Sequence, residues 1–275
     1  MQRIGGDRVI RDITIGQYYN ADSPIHKMDP RTKILWTLLY MVMLFVVDSI
    51  YSYGAIIVLT ALVIKASHIP LKFILRGLKP ILFLVVFTAL LNLFLVDEGK
   101  VLFEKGIFSI TEGGLWLAIK MAVRITLLIM GTSLLTLSTT PTVLTSGMES
   151  LLSPLKKIGV PVSVFVMMIS IALRFIPTLL DETDKIIKAQ TSRGADFEHG
   201  NPIRRIKSMI PILVPLFVSA FRRADDLAVA MECRCYNSDA PRTSYRKLQF
   251  GVNDLSALCY AIIMVCTLVL IEVIL

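Results

Sequence analysis

Five stretches of this sequence, 34–47, 49–64, 81–96, 125–148 and 255–271, contain no Asp, Glu, Lys or Arg. Long uncharged runs exclude an ordinary soluble domain. With flanking side chains that snorkel, each run reaches the roughly 20 residues that a helical span needs. Composition agrees: 55% of the 275 residues are hydrophobic and the mean hydropathy is +0.68, which points to a polytopic membrane protein. Catalytic signatures are also missing. No G-x-x-x-x-G-K-S/T run is present, so no P-loop binds ATP here, and neither H-E-x-x-H nor G-x-S-x-G occurs. The three histidines, His26, His68 and His199, are scattered and read as structural or solvated. Only four cysteines occur. Cys259 and Cys266 lie in the last apolar run, and Cys233 and Cys235 are too close in sequence to bridge readily. A zinc site at that pair would need two further ligands, and none is suitably spaced.

Charge is concentrated instead in residues 181–250, which hold 12 basic and 9 acidic side chains. Such a block stays in water. The first 33 residues carry six Lys/Arg and no short apolar region before a cleavage site, so no signal peptide is expected. The net charge of +8 is read as basic loops on the cytoplasmic side of a bilayer rather than as a nucleic-acid surface. Loop 65–79 carries Lys65, Lys72, Arg76 and Lys79 without an acid, whereas loop 97–112 carries Asp97, Glu98, Glu104 and Glu112 against Lys100 and Lys105. The positive-inside rule then places the N-terminus and 65–79 in the cytoplasm and 97–112 outside. Lys156 and Lys157 agree with that side, and a final span over 253–273 puts the C-terminus outside.

Residues 160–180 are apolar enough to span, yet a single crossing there would export the charged block. A hairpin, a long helix along the membrane face and a helix packed under the spans all remain open; a long amphipathic helix over roughly 162–192 fits best. The next helix opens at Asn201-Pro202, a cap followed by proline at the first turn. Its apolar stripe runs through Ile203, Ile206, Ile210, Leu213, Phe217, Ala220, Ala224, Leu227 and Met231. Pro211 and Pro215 predict a kink or break. A shorter helix over about 141–153 begins at Thr140-Pro141.

Both long helices end alike. AQTSRGADF (189–197) and AMECRCYNS (230–238) each place an arginine, Arg193 or Arg234, four residues after an alanine and nine after an aspartate, Asp184 or Asp225. A guanidinium keeps its charge at physiological pH and offers five donors in a planar fork, which suits a carboxylate or carbonyls at the floor of a partner's groove. The small neighbours Ser192, Gly194, Cys233 and Cys235 let that groove close. A cation near a helix C-terminus also stabilises the dipole by about 0.3–1 kcal/mol without any function. Two matched ends favour docking.

These segments resemble the paired Ala-Arg-Gly signatures of the T component of energy-coupling factor (ECF) transporters. SPIHKMDPRTK (23–33) is similar to that family's segment before its first span, and RFIPTLLDETDKIIKAQTSRGADF (174–197) is close to its pattern throughout. The resemblance covers essentially the whole chain. Ser192-Arg193-Gly194 matches with Ser for the first Ala; Cys233-Arg234-Cys235 departs at both flanks and leaves a left-handed cap open there, while Tyr236 matches the aromatic residue that often follows. The resemblance implies an all-α polytopic fold in the cell membrane, with about five transmembrane helices plus amphipathic coupling helices on the cytoplasmic side. Residues 1–33 would be a cytoplasmic segment, 34–138 four spans, 139–250 the coupling domain and 251–275 the last span. It implies a non-catalytic subunit of an ATP-driven importer of vitamins or metal ions. Its partners would be two ABC ATPase subunits, alike or different, and a membrane S component that binds substrate. ATP would be bound by those ATPases, and this chain would bind no cofactor, metal or nucleic acid itself. Val164, Met167, Met168, Leu213 and Phe217 would face the spans or the S component, methionine suiting a surface that accepts several partners.

Lys120 and Arg124 stand i,i+4 inside a span. Snorkelling explains Lys120; Arg124 is expected to pair with a helix-end carbonyl or a polar residue such as Asn92. A self-contained secondary transporter would need facing ionisable residues or interrupted helices at matched positions, and the spans are otherwise bare. A membrane scaffold without transport is the other alternative.

Overall fold

The computed structural model describes residues 18–95, 100–105, 108–195, 197, 202–237 and 248–274. Asn201 and His199 lie outside the described residues. Nine α-helices dominate these: α1 (Pro30–Val46), α2 (Ile50–Ser67), α3 (Leu71–Leu78), α4 (Leu82–Leu95), α5 (Glu112–Ser138), α6 (Pro141–Leu152), α7 (Val162–Ser192), α8 (Pro202–Cys233) and α9 (Val252–Ile274). A 3-10 segment, Ser153–Ile158, joins α6 to α7, and strands β1 (Val101–Lys105) and β2 (Phe108–Thr111) form an antiparallel hairpin before α5. The chain is an all-α polytopic membrane protein in class, with this short hairpin inside the loop read over 97–112.

Among the described residues four helices, α2, α5, α7 and α9, are long and apolar enough to cross a membrane. Helices α3 and α4 make a fifth candidate, bent by 59° at the break between them. The bend sits at Lys79-Pro80: Lys79 keeps helical geometry, at φ −53° and ψ −47°, but Pro80 has no N–H to bond the carbonyl of Arg76, four residues back; part of the basic loop is therefore helical. Helix α1, with 17 residues, is at the short end of spanning length. Contacts divide the chain into two units. One contains Leu152–Lys247; the other combines Ile15–Leu151 with Leu248–Leu275.

In the second unit, α1 packs on α5 so closely that a Cβ at Gly131 would collide with the Tyr40 ring. The Tyr40 hydroxyl donates to Leu127 O at 3.1 Å and lies 3.1 Å from Thr60 Oγ1, joining α1, α5 and α2 through polar groups that would otherwise be unsatisfied in a dry core. Polar clusters fasten both ends. At one, Arg124 donates from Nε to the Tyr53 hydroxyl at 2.9 Å and from Nη2 to Val47 O at 3.0 Å, while Lys120 Nζ reaches Asp48 Oδ1 at 2.5 Å. Glu272 accepts from Asp48 N at 3.2 Å and from Ser52 Oγ at 3.0 Å, which brings in α9. Lys120 beside Asp48 holds that exposed carboxyl below the usual carboxylate range. Arg124 thus takes the carbonyl that ends α1, and Asn92 is not its partner: the Asn92 amide donates to Thr88 O of its own helix at 2.9 Å.

At the other end the buried ammonium of Lys33 donates to His26 O, Ser138 O and Thr139 Oγ1 at 3.0–3.2 Å. Asp254, at the start of α9, accepts from Asp29 N at 2.8 Å and from Gly251 N at 2.7 Å. His26 is structural, as read from the sequence. Its Nε2–H donates to Tyr19 O at 2.9 Å, so Nδ1 accepts from the Ser23 hydroxyl at 2.7 Å. Burial pushes its pKa down, which keeps this neutral tautomer.

Candidate functional site

The first unit is built on α7 and α8, whose boundaries match the two long helices read from the sequence. Helix α8 starts at Pro202 and runs to Cys233 through Pro211 and Pro215 without a break, so of the kink or break expected at the prolines the break does not occur. Proline at 215 removes the N–H that would bond the carbonyl of Pro211. Gln190 of α7 points its side-chain amide at that carbonyl, 3.5 Å away, a long contact that offers the stranded acceptor a donor. Beyond it, Arg223 Nη2 of α8 pairs with Glu182 Oε2 of α7 at 3.0 Å. From Glu182 to Gln190 the chain advances along α7, while the partners retreat from Arg223 to Pro211. The two helices therefore cross in an antiparallel sense, and their C-termini leave on opposite sides of the crossing.

Those C-termini carry the two arginines, and they close the same way. At the end of α7, Gly194 N donates to Thr191 O at 2.9 Å and Ala195 N to Gln190 O at 3.0 Å, with Gly194 at φ +87°. At the end of α8, Cys235 N donates to Glu232 O at 2.9 Å and Tyr236 N to Met231 O at 3.0 Å, with Cys235 at φ +52°. Each is a Schellman motif, the 6→1 and 5→2 bonds enclosing one left-handed residue. Arg193 and Arg234 occupy the same place in both, the last residue before the left-handed one. The cap left open by the loss of glycine at 235 is present, built on cysteine.

Both arginines are exposed, and neither makes an ion pair or side-chain hydrogen bond among the described residues. Ser192 turns its hydroxyl back to Lys188 O at 3.0 Å, so it adds little bulk beside Arg193. Cys233 and Cys235 are exposed free thiols flanking Arg234. Each tip is therefore a guanidinium flanked by small groups, with no side-chain partner among the described residues of its own unit. That arrangement suits insertion into a recess lined with acceptors.

The residues expected to face other membrane elements divide in two. Met168, Leu213 and Phe217 are 55%, 47% and 61% exposed. Val164 and Met167 are half-buried, and the side chains turned furthest inward in this unit are Val162, Val166 and Ile212. Of the stripe read from α8, Ile203, Ile210, Leu213, Phe217 and Ala224 are exposed, Ala220, Leu227 and Met231 are half-buried and the Ile206 side chain lies outside the described ones, while Ile212 rather than Leu213 is buried. Sequence reading missed the Glu182–Arg223 ion pair. The signal was available: these positions are 41 residues apart, the same offset as Arg193 and Arg234, so one site in the repeat holds opposite charges on the two helices and lies at their crossing.

Comparison with known proteins places the geometry. The family described as cobalt transport protein (CbiQ) matches residues 21–245. A protein of Ruminiclostridium cellulolyticum named energy-coupling factor transporter transmembrane protein EcfT is 53% identical over 264 residues, 96% of this chain and 98% of its own. Proteins of the same name from Clostridium kluyveri and Bacillus subtilis are 51% and 46% identical, over 95% and 91% of this chain and 97% and 94% of theirs. A multi-pass membrane chain with two arginine-tipped helices, related at this level over nearly its full length, belongs to the family of energy-coupling factor transporter transmembrane proteins.

Proposed function

We propose that this subunit couples ATP hydrolysis on two partner ABC ATPase subunits to a separate substrate-binding S component, driving uptake of a vitamin or metal ion. The observation that carries the reading is the duplicated tip. Two exposed arginines, each set by the same cap and sent to opposite sides of one helix crossing, fit two equivalent recesses better than one. ATP would bind the partners, whose closure draws the recesses together and moves α7 and α8 as levers. A helix of about 30 residues is roughly 45 Å long, so a small rotation at the tips becomes a displacement of several ångströms at the far ends. Exposed Met168, near the start of α7, and Leu213 and Phe217, close to the crossing on α8, would bear on the S component. Charge places the N-terminus and both tips in the cytoplasm, where the ATPases are.

Arg193→Glu with Arg234→Glu tests this. The double variant should insert into membranes at the wild-type level and lose co-purification of the ATPases. Wild-type recovery of the ATPases would refute the docking role.

A further inference from the structure

A cavity of about 650 Å³ opens between α2 and α5, lined by Ile57, Ala61 and Lys65 on one side and Ala122, Thr126 and Met130 on the other. Alanine at 61 and 122, where larger residues would close the seam, accounts for the space. The hydroxyls along it are already committed: Thr60 Oγ1 lies 3.1 Å from the Tyr40 hydroxyl, and Thr126 donates to Ala122 O at 2.8 Å. The walls therefore offer hydrocarbon and no free polar group. Only the mouth is polar, at Lys65 and His68, and Leu71 of α3 borders it. Lys65 is exposed and makes no ion pair among the described residues. His68 is held by Asp22 O at 3.2 Å, and the Asp22 carboxylate is itself neutralised by Lys27 at 2.7 Å. Lys72 and Arg76 follow on α3, and 65–79 contains no acid.

We infer that this groove is a binding site for an anionic phospholipid, its acyl chain between α2 and α5 and its phosphate at Lys65. Length selects lipid over a partner helix. From Ile57 to Lys65 the groove follows eight residues of α2, roughly 12 Å, close to the depth of one leaflet in a hydrocarbon core about 30 Å thick. It runs from a basic mouth to the middle of α2 and stops. A transmembrane helix would need the whole length, whereas a lipid chain needs one half. The charge at the mouth matches a phosphate that carries a net negative charge in its headgroup and not a zwitterion. The site is independent of the docking tips, which belong to the other unit.

The test uses the full-length protein, equilibrated with mixed vesicles of phosphatidylglycerol and phosphatidylcholine of identical acyl chains, extracted, and read by native mass spectrometry. The wild type should keep one lipid and favour phosphatidylglycerol about fivefold, the weight of one basic side chain near an anionic surface. Lys65→Gln should keep the lipid and lose the preference. Ala61→Phe, on the exposed wall, should remove both lipids at an unchanged unfolding temperature. Equal retention of the two lipids by the wild type would overturn the inference, as would a preference that survives Lys65→Gln or a lipid that survives Ala61→Phe. Loss of the lipid when the chain is assembled with its partner subunits would show a protein helix in the groove and also overturn it.

Discussion

The ends of α7 and α8 have the same backbone and different chemistry. Both place an arginine before a left-handed residue and close on the same two hydrogen bonds. In α7 that residue is Gly194, whose φ of +87° carries no steric penalty. In α8 it is Cys235 at +52°, a conformation that disfavours any residue with a Cβ by roughly 1–2 kcal/mol. Glycine is therefore the convenient residue for this cap, and the position of the arginine is what both ends share.

The comparison breaks most visibly at the arginines themselves. Arg193→Glu and Arg234→Glu should each lower ATP-driven uptake by the reconstituted complex about a hundredfold or more, because reversing one partner of a docked charge pair costs several kcal/mol. Equal losses would establish the tips as equivalent; a loss at only one would end the comparison. The caps come next. A Cβ added at Gly194 meets no atom within 4 Å, so Gly194→Cys isolates the backbone term and should destabilise the unit by roughly 1 kcal/mol. Cys235→Gly should stabilise it by about as much, read as opposite shifts in thermal unfolding. The smallest effect belongs to the crossing. The Glu182–Arg223 pair is partly open to water, so Glu182→Gln should lower the thermal unfolding midpoint only slightly, a screened ion pair contributing little. Exchanging the two residues should restore most of that loss in a double-mutant cycle.

How much of this was legible in sequence follows from which forces act locally. The extents of α7 and α8 were readable because an apolar stripe, a proline at the first turn of α8 and Gly194 after α7 each act within a few residues. The cap at Cys235 was not readable from residue type, since cysteine does not signal a left-handed end; only the 41-residue offset from Gly194 hinted at it. Continuity through Pro211 and Pro215 depends on packing between helices, with Gln190 supplied from 21 residues earlier. The pairing of Lys120 and Arg124 was half legible. Depth in the span implied a helix-end carbonyl, but Asp48 and Glu272 joined the cluster only once α1, α5 and α9 had come together. The break between α3 and α4 had a local cause, Pro80, whose meaning was masked by the reading of 65–79 as a loop.

The central claim, that each arginine tip seats in its own ATPase subunit, is tested most directly by contact mapping in the assembled complex. A photo-crosslinking side chain would be placed at Ser192 in one preparation and at Cys235 in another, and the adducts identified by mass spectrometry. Both positions should join this chain to an ATPase, at corresponding sites on the two subunits. Adducts within this chain, or an ATPase adduct from one tip alone, would contradict the account.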